Sequence, residues 1–143
     1  MDFALSDGPI QVTPLRQTLL HRHAGAFTSF EGWVRDHNEG RGVEGLHYEA
    51  YTVLAEAEGG RVLQEARGRF AIVDACCVHR VGELGIGELA VWVGVTAAHR
   101  DEAFAACRYI IDEVKSRVPI WKHERYREGD AGWLHPSEGP ASS

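Results

Sequence analysis

Apolar residues change their spacing several times along this chain, and each change predicts an element. Leu15, Leu19 and Leu20 follow Pro14, whose fixed φ suits a helix start, and Gly25 then breaks the pattern, so a short helix is expected. Residues 26–34 (AFTSFEGWV) are rich in aromatic and β-branched side chains and predict a strand; the polar, glycine-rich residues 36–42 predict a mobile loop. In residues 43–51, Leu46, Tyr48 and Ala50 alternate with His47, Glu49 and Tyr51, the period of a half-buried strand, so a hairpin across the loop is expected.

Val53, Leu54, Ala57, Val62, Leu63 and Ala66 recur at helical spacing, although Gly59-Gly60 should weaken that helix by roughly 1 kcal/mol per glycine. Residues 71–81 and 89–96 are apolar, β-branched runs joined by Gly82-Glu83-Leu84-Gly85-Ile86-Gly87-Glu88, which predicts a hairpin. A long helix is expected over residues 98–117, with Phe104, Cys107, Ile111 and Val114 as its apolar stripe and Pro119 blocking its continuation. Residues 120–126 and 132–134 read as short extended segments, and residues 136–143 as a frayed tail. Adjacent strand pairs with helices between them favour an α+β fold with a mostly antiparallel sheet.

Composition narrows the class. A chain of 143 residues with 44% apolar content fits one domain, 1–143, with a real core. No run of about 18 apolar residues and no secretory leader is visible, so a cytoplasmic protein is expected. The net charge of −6 argues against general nucleic-acid affinity, so any anion site must be local. Cys76, Cys77 and Cys107 are odd in number and lack C-x-x-C spacing; they read as reduced packing residues, with 76 and 77 on opposite faces of a strand. Eight histidines, including the pair His21 and His23, match no compact ligand motif, and no metal is expected.

Cations at element ends are the candidate chemistry. Trp33-Val34-Arg35 closes a strand, and the planar guanidinium suits a phosphate, although for the position taken alone a solvated arginine is the more frequent case. His99 and Arg100 stand at the start of the long helix, where unpaired N–H groups favour anions, and Thr96 is available as a cap. Lys115 and Lys122 flank Pro119, which turns the chain so that two ammonium groups can approach from different elements and depress each other's pKa. The plain alternative for Lys115 is favourable placement in the last helical turn.

Several segments together resemble the large subunit of molybdopterin synthase: Phe30-Glu31-Gly32-Trp33-Val34-Arg35-Asp36-His37-Asn38 with Gly40, Leu46-His47-Tyr48-Glu49-Ala50-Tyr51, His79-Arg80-Val81-Gly82-Glu83-Leu84, His99-Arg100 with Ala103-Phe104, and Val118-Pro119-Ile120-Trp121-Lys122. The resemblance spans residues 25 to 134. It implies an α/β hammerhead fold and a homodimer of large subunits, each binding a small ubiquitin-like sulfur carrier with a Gly-Gly thiocarboxylate tail, to give a heterotetramer. The implied substrate is a cyclic pyranopterin monophosphate, which two sulfur transfers convert to a dithiolene; no resident cofactor is implied. Carried over, Arg35, His99 and Arg100 bind the substrate's anionic end, Lys115 and Lys122 are catalytic, and His123 and Glu124 complete a pocket that Trp33 and Val34 also line. Trp33, where relatives often have lysine or threonine, Asp36, where asparagine is common, and Gly59-Gly60 depart from the pattern. Two rival readings are a non-catalytic module that binds a ubiquitin-like tail or pterin phosphate, and a metal-dependent hydrolase using the histidines.

Overall fold

The computed structural model describes residues 2–127. Strand β1 (Phe3–Ser6) leads to helix α1 (Val12–Thr18), strand β2 (Ala26–Trp33), the two-residue strand β3 (His37–Asn38), strand β4 (Arg41–Ala50) and helix α2 (Thr52–Arg69). Strands β5 (Ile72–Arg80), β6 (Gly82–Gly85) and β7 (Leu89–Ala97) follow, then helix α3 (Arg100–Arg117) and strand β8 (Ile120–Tyr126). One sheet has the order β1-β5-β7-β2, with only β1 and β5 parallel; the second has β3-β4-β6, and β8 also pairs with β4. The architecture is mixed α+β, as expected.

Strands β5 and β7 are apolar because both faces of their sheet are covered. On one face Cys77, Val91, Val93 and Val95 pack against Leu63 of α2 and Ile110 of α3. On the other, Cys76 and Trp92 pack on Leu19, beside Val12 and Leu15 of α1. The two neighbouring cysteines therefore do face opposite ways, as strand alternation requires.

Three expectations need correction. Strand β2 forms no hairpin with β4: it pairs with β7, and the supposed loop contains β3, which turns into β4 through Glu39 and Gly40. The pattern of β2 and β4 gave their type but could not choose their neighbours. β5 and β7 do pair, yet their connection is no simple reversal, because β6 within it joins the second sheet. On α3 the buried face is Ala103, Ala106, Cys107, Ile110, Ile111 and Val114, while Phe104 is 59% exposed. At about 100° per residue, Phe104 is rotated away from the line through residues 103, 107, 110 and 114.

Helix α2 runs unbroken through Gly59-Gly60. A Cβ at residue 59 would lie 2.2 Å from Cγ of Phe3, so the glycine lets β1 pack directly on the helix backbone. That tertiary contact offsets the intrinsic cost of glycine. The segments expected over 132–134 and 136–143 lie outside the described residues.

Candidate active site

Strands of both sheets and helix α3 bring side chains to one pocket. Gly32 sits at a bulge in β2, and the chain beyond it delivers Trp33 and Arg35 to the rim and buries Val34 beneath them. Asn38 of β3, Tyr48 of β4, His79 of β5, Lys115 of α3 and Lys122 and Glu124 of β8 complete the lining. The pocket holds roughly 690 Å³ of empty space including its open mouth. Its floor is apolar, with Leu46, Ala90 and Val34 from a small core cluster between the sheets.

The two lysines reach it from different elements because Pro119 intervenes. Val118 is already extended, so α3 stops and β8 begins within two residues. Strand alternation then puts Ile120, Lys122, Glu124 and Tyr126 on the buried side. Lys122 Nζ lies 3.0 Å from Glu124 Oε1, and both residues are almost wholly buried, at 3% and 6% exposure. Asn38 Nδ2 donates to both carboxylate oxygens of Glu124 at 3.1 and 3.3 Å, while its own Oδ1 accepts a long hydrogen bond from Arg35 at 3.4 Å. A buried ion pair needs such further partners, since desolvation of both charges otherwise exceeds their attraction.

Lys115 has a different environment. Burial, then the charges of Lys122 and Arg35, bring its pKa down to about 8 from 10.5, against a small opposing effect of Asp112. About a tenth of its amine is therefore uncharged near pH 7, far more than for an ordinary lysine. His79 is also perturbed: burial lowers it to about 4, a hydrogen bond to the Arg80 carbonyl opposes this, and the Lys115 charge assists. The carbonyl can only accept, so Nδ1–H donates at 2.7 Å and Nε2 carries the lone pair. Tyr48 meets the imidazole edge-on, with ring centroids 4.8 Å apart, and burial pushes its hydroxyl pKa well up.

Of the residues chosen from sequence, Trp33, Val34, Arg35, Lys115, Lys122 and Glu124 line this pocket. His99, Arg100 and His123 do not. His99 and Arg100 are exposed at the opposite end of α3, about 15 residues or roughly 22 Å along the axis from Lys115. Thr96 leaves the helix uncapped: His99 holds the cap position without a side-chain bond, and the Thr96 hydroxyl donates to the Asp74 carbonyl. His123 falls between Lys122 and Glu124 in the alternation and so belongs to the other side of β8.

Sequence reasoning assigned no site role to Asn38, Tyr48 or His79. Asn38 was hidden in an apparent loop, and Tyr48 and His79 sit among apolar strand residues where core packing is the simpler explanation. The cysteines are poor nucleophile candidates: burial raises Cys76 and Cys107 to about 11 and Cys77 further. Among the described residues, no group of three or more His, Cys, Asp or Glu could hold a metal ion, and no helix is long and apolar enough to cross a membrane.

Comparisons with known proteins point the same way as the geometry. Residues 5–117 match the family model described as MoaE protein. The chain is 54% identical over 106 residues to the molybdopterin synthase catalytic subunit of Pyrococcus abyssi, covering 74% of this chain and 72% of that one. It is 46% identical over 110 residues to the protein of the same name from Thermoplasma volcanium, covering 77% and 80%. The crystal structure of molybdopterin synthase from Staphylococcus aureus superposes with a TM-score of 0.86 at 34% identity, covering 91% of this chain and 94% of that chain. A match that runs from the first strand through the helix bearing Lys115, on a shared fold, means that this chain belongs to the MoaE protein family.

Proposed function

We propose that this chain is the catalytic subunit of a molybdopterin synthase, a cytoplasmic sulfurtransferase. It takes sulfur from the C-terminal thiocarboxylate of a small ubiquitin-like partner and adds it to cyclic pyranopterin monophosphate. The observation that carries this reading is the convergence of Lys115, Lys122 and Arg35 on one pocket, with Lys115 lowered to about 8. A thiocarboxylate, a phosphate and a developing oxyanion all require cations, and an acidic protein has to gather them locally.

In this reading the partner's tail enters past exposed Trp33, and Arg35 engages the phosphate. The thiocarboxylate sulfur bonds to a substrate carbon as that carbon's bond to oxygen breaks, the oxygen leaving on the phosphate or, with a proton, as water, giving an acyl thioester. Water then cleaves the acyl C–S bond, leaving the sulfur on the substrate and a carboxylate on the partner. Lys122, ion-paired with Glu124, stabilises the oxyanion at the partner's carbonyl. Lys115, partly uncharged, accepts and returns the proton or attacks that carbonyl. A non-catalytic binding module has no need of a lysine so perturbed.

His99 and Arg100 lie too far along α3 to serve the pocket of their own chain. In the homodimer of large subunits that we include in this proposal, they serve the pocket of the second copy. Reconstitution tests the whole reading: the protein, a thiocarboxylated small partner and the pterin precursor should give a product carrying two added sulfur atoms by mass spectrometry. A complex that forms yet incorporates no sulfur overturns it.

A further inference from the structure

His79 is a titratable side chain buried in a pocket where an apolar residue would be cheaper to bury, and sulfur transfer as described above leaves it without a task. Its orientation is determined on two sides. The Arg80 carbonyl takes the Nδ1 proton at 2.7 Å, which fixes the tautomer, and the Tyr48 ring fixes the imidazole plane. What remains is Nε2, an uncharged acceptor on a residue that lines the same pocket as Lys115. Lys122 already has its carboxylate partner in Glu124, and of the pocket's cations it is the Lys115 charge that acts on the imidazole.

We propose that His79 is the positioning residue for Lys115: its Nε2 lone pair accepts a hydrogen bond from the Lys115 amine and aims that nitrogen at the centre of the pocket. The choice of imidazole over carboxylate is physically meaningful. A carboxylate there would hold Lys115 fully charged, whereas a neutral acceptor orients the amine and leaves it able to lose its proton. The groups that face Lys115 are consistent with that role. Arg35 beyond β2, His37 of β3 and Lys122 of β8 bring positive or neutral charge, Tyr48 of β4 is kept neutral by burial, Glu124 of β8 is engaged by Lys122 and Asn38, and Asp112 on its own helix opposes only weakly.

The kinetic arm of the test rests on the sulfur-transfer reading; the spectroscopic arm does not. In the reconstituted complex His79→Leu should lower kcat about tenfold with KM within about threefold, and His79→Gln, which restores an uncharged acceptor, should recover most of that loss. In isolated protein carrying 13C-methylated lysines, the Lys115 titration should fall below its wild-type midpoint in His79→Leu, because loss of an acceptor disfavours the ammonium form. An unchanged Lys115 midpoint in His79→Leu, or losses in His79→Gln as large as in His79→Leu, overturns the proposal. Should His79→Leu fail to fold, the unprotonated Nε2 15N resonance of His79 decides: it should move in Lys115→Met, and a resonance that stays in place overturns the assignment.

Discussion

At the scale of single residues, the two lysines of the pocket stand in different environments. Lys122 has Glu124 as an ion-pair partner, while burial and like charge loosen the proton on Lys115. His79 offers a stability signature of the same environment. Its folded pKa is about 4 against 6.5 when unfolded, so between those values the unfolded chain binds a proton that the folded chain refuses. Stability from this group is complete above pH 6.5 and lost as pH falls toward 4, by up to about 3 kcal/mol. Urea unfolding of wild type and His79→Gln across pH 4 to 7 checks this: the variant should show a flatter dependence in that window. The carboxylates with lowered pKa values, such as Glu65 at about 2, lose stability below about pH 5 in both proteins and cancel in the comparison. The cations of the pocket were legible in the sequence because Lys115, Lys122 and Arg35 stand at element ends. His79, Tyr48 and Asn38 were not, because an isolated polar residue inside an apolar run looks the same whether it packs or acts.

At the scale of elements, periodicity located most helices and strands, and of their partners only the pairing of β5 with β7. Nothing in the alternation of β2 says that it pairs with β7 rather than β4, since pairing depends on which faces the helices cover. The parity of β8 was available from its sequence and separates Lys122 and Glu124 from His123 between them. Glu124→Gln should therefore lower turnover by about tenfold or more, by removing the carboxylate that pairs with Lys122 and leaving the amide of Asn38 poorly satisfied; steady-state kinetics measures it. The two glycines of α2 give opposite predictions although they are adjacent. Gly60 has open space around its Cβ position, so Gly60→Ala should stabilise by about 0.5–1 kcal/mol through helix propensity. Gly59→Ala drives a methyl into the Phe3 ring and should destabilise by about 1–3 kcal/mol. Denaturant midpoints of the two variants distinguish tertiary approach from local propensity.

At the scale of the whole molecule, the two ends of α3 serve different places. One end brings Lys115 to the pocket, and the other holds His99 and Arg100 in solvent. The helix expected over residues 98–117 already separates Arg100 from Lys115 by about 22 Å, a length that residues carried over by motif order do not take into account. If the homodimer supplies each pocket with the other copy's Arg100, then Lys115→Ala and Arg100→Ala should complement. Dimers mixed at random are about half heterodimers with one intact pocket in two, so about a quarter of wild-type activity should return. No recovery from the mixture, with each variant inactive alone, shows that the exposed pair does not act across the dimer.

In the proposed reaction Lys115 moves the proton at the partner's acyl carbon or attacks it within this pocket. Single-turnover sulfur transfer by Lys115→Ala, in a preformed complex with the thiocarboxylated partner and bound precursor, tests that role. The variant should be folded and partner-bound, with a transfer rate about 100-fold or more below wild type. A rate within about threefold of wild type contradicts it.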